Sequence, residues 1–213
     1  MNQKIFSISN VIEFGWNKFK ENPTLWLGLS FITVVVGSLS DTESLTEYAG
    51  INLSFPNFSG IVFGLISAYL SLAIYKITIE NIRGNEVSFN DLTEISLNQF
   101  INYIIAAILS GILIVLGCIL FIIPGIHIAI RFMFIPYLIV DKNLKFDEAM
   151  KESWRITKDN SWNLFVLALV FFLLVIAGFI MLFVGIFVAI PIIWLATASI
   201  YLLFTKEEEI ATL

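Results

Sequence analysis

Three polar side chains sit where an otherwise apolar sequence could do chemistry: His127, Arg131 and Tyr137. His127 and Arg131 are four residues apart, so a helix places them on one face, one turn from each other. A cation within a spanning helix costs several kcal/mol unless it is paired, hydrated or able to snorkel, which makes Arg131 the sharpest candidate. Functional uses would be contact with an anion or lipid phosphate, or a polar pathway. Structural uses would be capping of free carbonyls at a helix break, or pairing with an acid at a span end such as Glu80. His127 is either a satisfied interior histidine or a proton relay. The expectation from cost is that this span turns Arg131 and His127 inward and leaves Ile128, Phe132 and Ile135 nearer lipid.

Other chemistry finds little material. One cysteine, Cys118, and one histidine exclude a disulfide framework and a zinc site of several Cys and His ligands. The span cores hold no Asp or Glu, and the sequence has no Ser/His/Asp set and no Gly-rich phosphate loop. No enzyme activity, metal or cofactor is expected. The expected partners are membrane lipids and a protein partner or second copy, not nucleic acid.

The elements that must hold these residues are read from hydropathy. Hydrophobic residues make up 58% of the 213 and charged residues 14%, against averages of roughly 45–50% and about 25% in soluble domains. Residues 22–40, 48–75, 95–130 and 160–205 carry no charge, and each run can supply the ~20 apolar residues of a spanning helix. The runs do not alternate as barrel strands would. At ~1.5 Å per residue, one helix over 161–205 would be about 68 Å long and must fold back, with Val184-Gly185 as the turn and Pro191 as the alternative. The expectation is an all-α polytopic membrane bundle, one domain over 1–213, with spans at 24–39, 61–79, 101–123, 126–140, 162–184 and 187–204. Pro124-Gly125 should break the third span from the fourth, and Pro136 should kink the fourth. Gly60, Gly64 and Ala68, spaced by four, form a ridge for close helix packing inside the monomer.

Three amphipathic segments, 9–21, 89–99 and 145–158, are expected to lie along the membrane surface. The first pairs Asn10 with Glu13 as a cap and stops at Asn22-Pro23; the second opens on Ser88 and Asp91. The third carries Phe146, Ala149, Met150, Ser153 and Thr157 on one stripe. Trp16-Asn-Lys-Phe-Lys-Glu-Asn22 matches Trp154-Arg-Ile-Thr-Lys-Asp-Asn160 in register, with a weaker copy over 92–98. This predicts three units, each an in-plane helix followed by a two-span hairpin. Six spans put both termini on one side. Lys4, Lys18, Lys20, Lys76, Arg83, Lys142, Lys145, Lys151, Arg155, Lys158 and Lys206 all fall there, and none falls opposite. The positive-inside rule makes that side cytoplasmic. No cleavable leader is expected, so the first span is retained, and Lys206 to Glu209 should be solvated.

Pro124-Gly-Ile, Ile130-Arg131, Pro136-Tyr137, Ala149-Met-Lys-Glu-Ser153-Trp and Lys158-Asp-Asn160 together resemble a bacterial six-span family. It is the membrane domain of glycerophosphoryl diester phosphodiesterase, with its uncharacterised stand-alone relatives. The specific match covers about 40 residues by count of those motifs, and hydropathy carries the rest. In that family the phosphodiesterase name comes from a separate soluble catalytic domain, absent from these residues. The resemblance implies a topology and a bacterial inner-membrane location, and no activity. The sequence therefore points first to a non-catalytic structural, assembly or accessory subunit. The alternative is a small transporter or channel for an anion or lipid head group, built around Arg131.

Overall fold

A computed structural model describes residues 6–39, 42–48, 51–56, 58–181 and 184–211. Lys4 and the side chains of 40–57 and 206–213 lie outside what is described, so the expected solvation of Lys206 to Glu209 falls there too. The described chain is a helical membrane bundle. Five stretches are long and apolar enough to span: Phe58–Arg83, Leu97–Leu120, Ile122–Lys142, Lys158–Ile180 and Val184–Thr205. A shorter apolar helix, Pro23–Ser38, makes the sixth. Its 16 residues reach about 24 Å, short of a ~30 Å hydrocarbon core.

Helix α1, Ile8–Glu21, is capped by Ser7, whose hydroxyl accepts from the Asn10 amide. The expected Asn10–Glu13 cap is thus displaced by three residues: Asn10 is already helical and donates instead. Val11, Gly15 and Phe19 form the buried stripe. That stripe lies along a neighbouring helix, with Phe6 beside Phe204 and Gly15 against the carbonyl of Ile192. Asn22 then caps α2, Pro23–Ser38, accepting from the Leu25 amide, with Pro23 at the first helical position. A two-stranded antiparallel hairpin follows, Thr42–Tyr48 with Ile51–Pro56.

Helix α3, Phe58–Arg83, ends where Gly84 takes φ +92 and the Asn85 amide returns to the Glu80 carbonyl, a left-handed stop that glycine adopts without strain. Of the expected Gly60/Gly64/Ala68 ridge only Gly60 is buried. A Cβ added at Gly64 would meet nothing within 4 Å among the described residues, so Gly64 takes no part in a close helix contact there. Small residues at that spacing permit close approach but do not compel it.

The 89–99 segment is not a continuous helix. A 3-10 turn, Phe89–Thr93, is closed by the Asp91 carboxylate accepting from the Ser88 amide. Ser96 and Gln99 then form a second capping box that starts α4, Leu97–Leu120. Two strong caps in so short a stretch stop one helix from running through. The chain turns at Phe121 and α5, Ile122–Arg131, begins four residues earlier than the expected start at 126. Pro124 lies in the first turn of α5, where a missing amide proton costs nothing.

Gly125 serves close approach rather than the turn. A Cβ there would strike the Cys118 sulfur and stand 2.8 Å from the Cys118 amide nitrogen, and one at Gly117 would stand 2.9 Å from the Gly125 Cα. After Phe132–Phe134, helix α6 covers Ile135–Lys142, so Pro136 marks a full break rather than a kink. Helix α7, Phe146–Ile156, and a 3-10 turn, Lys158–Asn160, lead into α8, Ser161–Ile180. Helix α9, Val184–Ala211, takes Val184 and Gly185 into its first turn and continues through Pro191. The expected turn is therefore the start of a helix, and the expected end at 204 is passed. Here too glycines meet: a Cβ on Gly178 would stand 2.8 Å from the Gly185 carbonyl carbon.

Candidate functional site

The break between α5 and α6 frees backbone groups, and a buried polar group without a partner costs about 1–3 kcal/mol. One side chain of α7 closes it. The Ser153 hydroxyl donates to the Arg131 carbonyl at 2.7 Å and accepts from the Phe134 amide at 3.3 Å. Ser153 is fully buried. Thr157, one turn later, donates to the Ser153 carbonyl at 2.7 Å. Both residues sit on the apolar stripe of the third amphipathic segment. Polar residues on an apolar stripe were the one sequence signal for this joint, and nothing local indicated what they bond.

Arg131 lies at the same joint, 8% exposed. Its Nη1 donates to the Trp154 carbonyl at 3.0 Å, its Nε to His127 Nε2 at 3.3 Å, and its guanidinium carbon lies 4.9 Å from the centre of a Trp154 ring. A cation beside carbonyls in the last turn of α7 is favoured by the helix dipole, and the Trp154 face adds a cation–π contribution. Arg131 therefore caps carbonyls, but those of α7 rather than those at the end of α4. Glu80 takes no part; it pairs with Arg83 at 3.1 Å.

The inward and outward faces also differ from expectation. His127 is exposed beside Ile123 and Ile126, Ile128 and Phe132 are half-buried, and Ile135 is buried. The break rotates α6 relative to α5, so one helical wheel cannot describe both. Tyr137 turns away from Arg131. It is buried between Tyr75 and Tyr201, with ring centres at 4.8 and 5.4 Å, and its hydroxyl donates to the Trp194 carbonyl at 3.5 Å. Beyond it Tyr201 donates to Asp141 at 2.7 Å, and Arg83 pairs with the same carboxylate at 2.5 Å. This Arg83–Asp141–Tyr201 chain joins α3, α6 and α9 from three distant stretches of sequence, and no spacing rule announces it.

Neighbouring helices complete the setting. Gln99 donates to the Val140 carbonyl at 3.3 Å and Asn102 accepts from the Phe146 amide at 3.0 Å, tying both ends of the α6–α7 corner to α4. An open cavity of about 320 Å³ beside the break is bordered by Tyr75, Tyr103, Ser110, Phe132 and Met133 among others. Another, of about 370 Å³, lies between α5 and α8.

A multi-pass helical membrane protein with a broken helix clamped by an amphipathic one is the class that this arrangement defines. A family profile described as the membrane domain of glycerophosphoryl diester phosphodiesterase matches residues 92–205, which run from the 3-10 turn before α4 to Thr205 in α9. The chain belongs to that family. No curated protein and no solved structure matches it.

Proposed function

We propose that this chain is a non-catalytic membrane module of the bacterial inner membrane, acting as a structural, assembly or accessory subunit with both termini in the cytoplasm. The observation that carries the reading is the employment of Arg131. The cation that could have served substrate is committed to the α5–α6–α7 joint, through Trp154 and His127. The family description names the membrane part of an enzyme, which fits a part that serves a catalytic unit without carrying its chemistry. Lipids and a protein partner or second copy are its expected company. The eleven-to-none distribution of Lys and Arg supports the orientation.

The test is Arg131→Leu. It should lower thermal stability while leaving membrane insertion intact, and Arg131→Lys should restore only part, because a point charge cannot reproduce the planar fork. A second reading, a small anion transporter, is favoured by the non-helical residues Phe132 to Phe134 beside Arg131, since transporters build sites at discontinuous helices. Phosphate uptake by proteoliposomes, lost in Arg131→Leu at unchanged stability, would replace the first reading with the second. Reporter fusions after Leu213 and within 40–60 test the orientation; a loop reporter active only in the cytoplasm would refute it.

A further inference from the structure

The cavity between α5 and α8 has a mixed lining. Ile123, Ile126, Ile130 and Phe165 make most of it apolar, while His127 of α5 and Ser161 and Trp162 at the start of α8 bring polar groups to it. The groove is open: Ile123 is 80% and Trp162 73% exposed. Its volume of about 370 Å³ falls at the low end of the ~300–1,000 Å³ typical of small-molecule sites.

Beside His127 lies a charge without a counter-ion among the described residues. Arg83 holds Glu80 and Asp141, and Arg155 holds Glu152. Among the described residues Arg131, more than nine-tenths buried, has no carboxylate within ion-pair distance; Asp159 acts on it only through its field. A buried cation in that position is relieved by an anion brought close to it.

His127 links the charge to the cavity. An arginine nitrogen can only donate, so His127 Nε2 is the acceptor in their 3.3 Å contact. In the neutral ring the proton then sits on Nδ1. His127 is exposed and lines the cavity, so a ring that carries a donor borders it. The first-turn amides of α8 add a second favourable field for an anion, since Asn160 gives them no side-chain cap.

We propose that this groove holds one phospholipid with an anionic headgroup, its acyl chain along Ile123, Ile126 and Phe165 and its phosphate at His127. The proposal stands whether the protein is an accessory subunit or a transporter. A lipid, rather than free phosphate, is the occupant because most of the wall is apolar and opens outward from a membrane bundle.

The full-length protein in nanodiscs of equal phosphatidylcholine and phosphatidylglycerol is examined by native mass spectrometry after gentle release. One phosphatidylglycerol should be retained, about tenfold in preference to phosphatidylcholine, a ratio equivalent to ~1.4 kcal/mol. Ile126→Trp, at a half-exposed position, should plug the groove and remove the retained lipid without changing the melting temperature. Ile123→Trp repeats the test at a more open position, should Ile126→Trp fold poorly. His127→Leu should reduce the preference several-fold while leaving the apolar wall intact. Equal retention of both lipids, or full retention in the plugged variants, would overturn the proposal. Displacement of the lipid by millimolar inorganic phosphate would overturn the lipid assignment in favour of a free-anion site.

Discussion

The α4–α5 hairpin turns where Gly117 meets Gly125, and the α8–α9 hairpin turns where Gly178 meets Gly185. In both, backbones approach so closely that a Cβ on either side has no room. Past that contact they diverge. Helix α5 stops at Arg131 and the chain breaks before Pro136, whereas α9 runs on through Pro191 for 28 residues in all. Pro191 lies inside a helix, where it removes an amide proton and crowds the carbonyl four residues back, whereas Pro136 stands in the first turn of α6, where that proton has no helical partner to lose. In α9 that carbonyl belongs to Phe187, and the Ser30 hydroxyl of α2 lies 2.9 Å from it. In the α5–α6 corner, Ser153 serves a carbonyl and an amide together. The proline inside α9 thus leaves one carbonyl that α2 serves, while the α5–α6 corner leaves a carbonyl and an amide that α7 serves.

That comparison can be broken at four points. The largest effect is expected at the glycines. Gly125→Ala should destabilise the detergent-solubilised protein by about 3 kcal/mol, the upper range for overpacking. Cys118→Ala should not rescue it, because the Cys118 backbone is also in the way. Rescue would mean that the hairpin yields at the side chain alone. Ser153→Ala comes next, since it orphans the buried Phe134 amide and leaves the Arg131 carbonyl only the longer 3.5 Å contact from Thr157; about 2 kcal/mol is expected, read as a lowered thermal midpoint. Ser30→Ala should cost about 1 kcal/mol, because only the Phe187 carbonyl loses a partner and the hydroxyl already shares its proton with Leu27. A larger loss at Ser30 than at Ser153 would reverse the assigned roles.

The smallest effect concerns the outer face of α7. Arg155 donates to Glu152 at 2.7 and 2.9 Å and holds its carboxyl below the usual range, partly opposed by desolvation. A depressed carboxylate contributes stability that is complete above the unfolded value of about 4.3 and is lost as pH falls through the lower folded value. Wild type should therefore exceed Glu152→Gln slightly at neutral pH, and the gap should close in acid. A gap that widened in acid would refute the pairing. Solvent exposure keeps the effect small.

Much of the architecture was legible in the residues. Charge-free runs located the spans, Asn22-Pro23 located the start of α2, and Ser88 with Asp91 located a capping box, though what it opens is a 3-10 turn and not the in-plane helix expected there. Those signals act over a few residues: hydropathy over one helix length, caps over one turn. The site was legible only in part. That Arg131 would be satisfied within the bundle followed from the cost of an uncompensated cation, but its partners did not. Trp154 lies 23 residues away and on another helix. Nor could periodicity say that His127 faces outward while Ile135 is buried, because a lipid-facing and a protein-facing surface are equally apolar. The sequence by itself determined that this chain enters a membrane, in which segments, and that one cation would need company there. Only the tertiary structure decided which serine closes which break, which glycines must stay glycine and what Arg131 holds. Those outcomes depend on single donors and on ångström-scale approaches between segments that are distant in the chain.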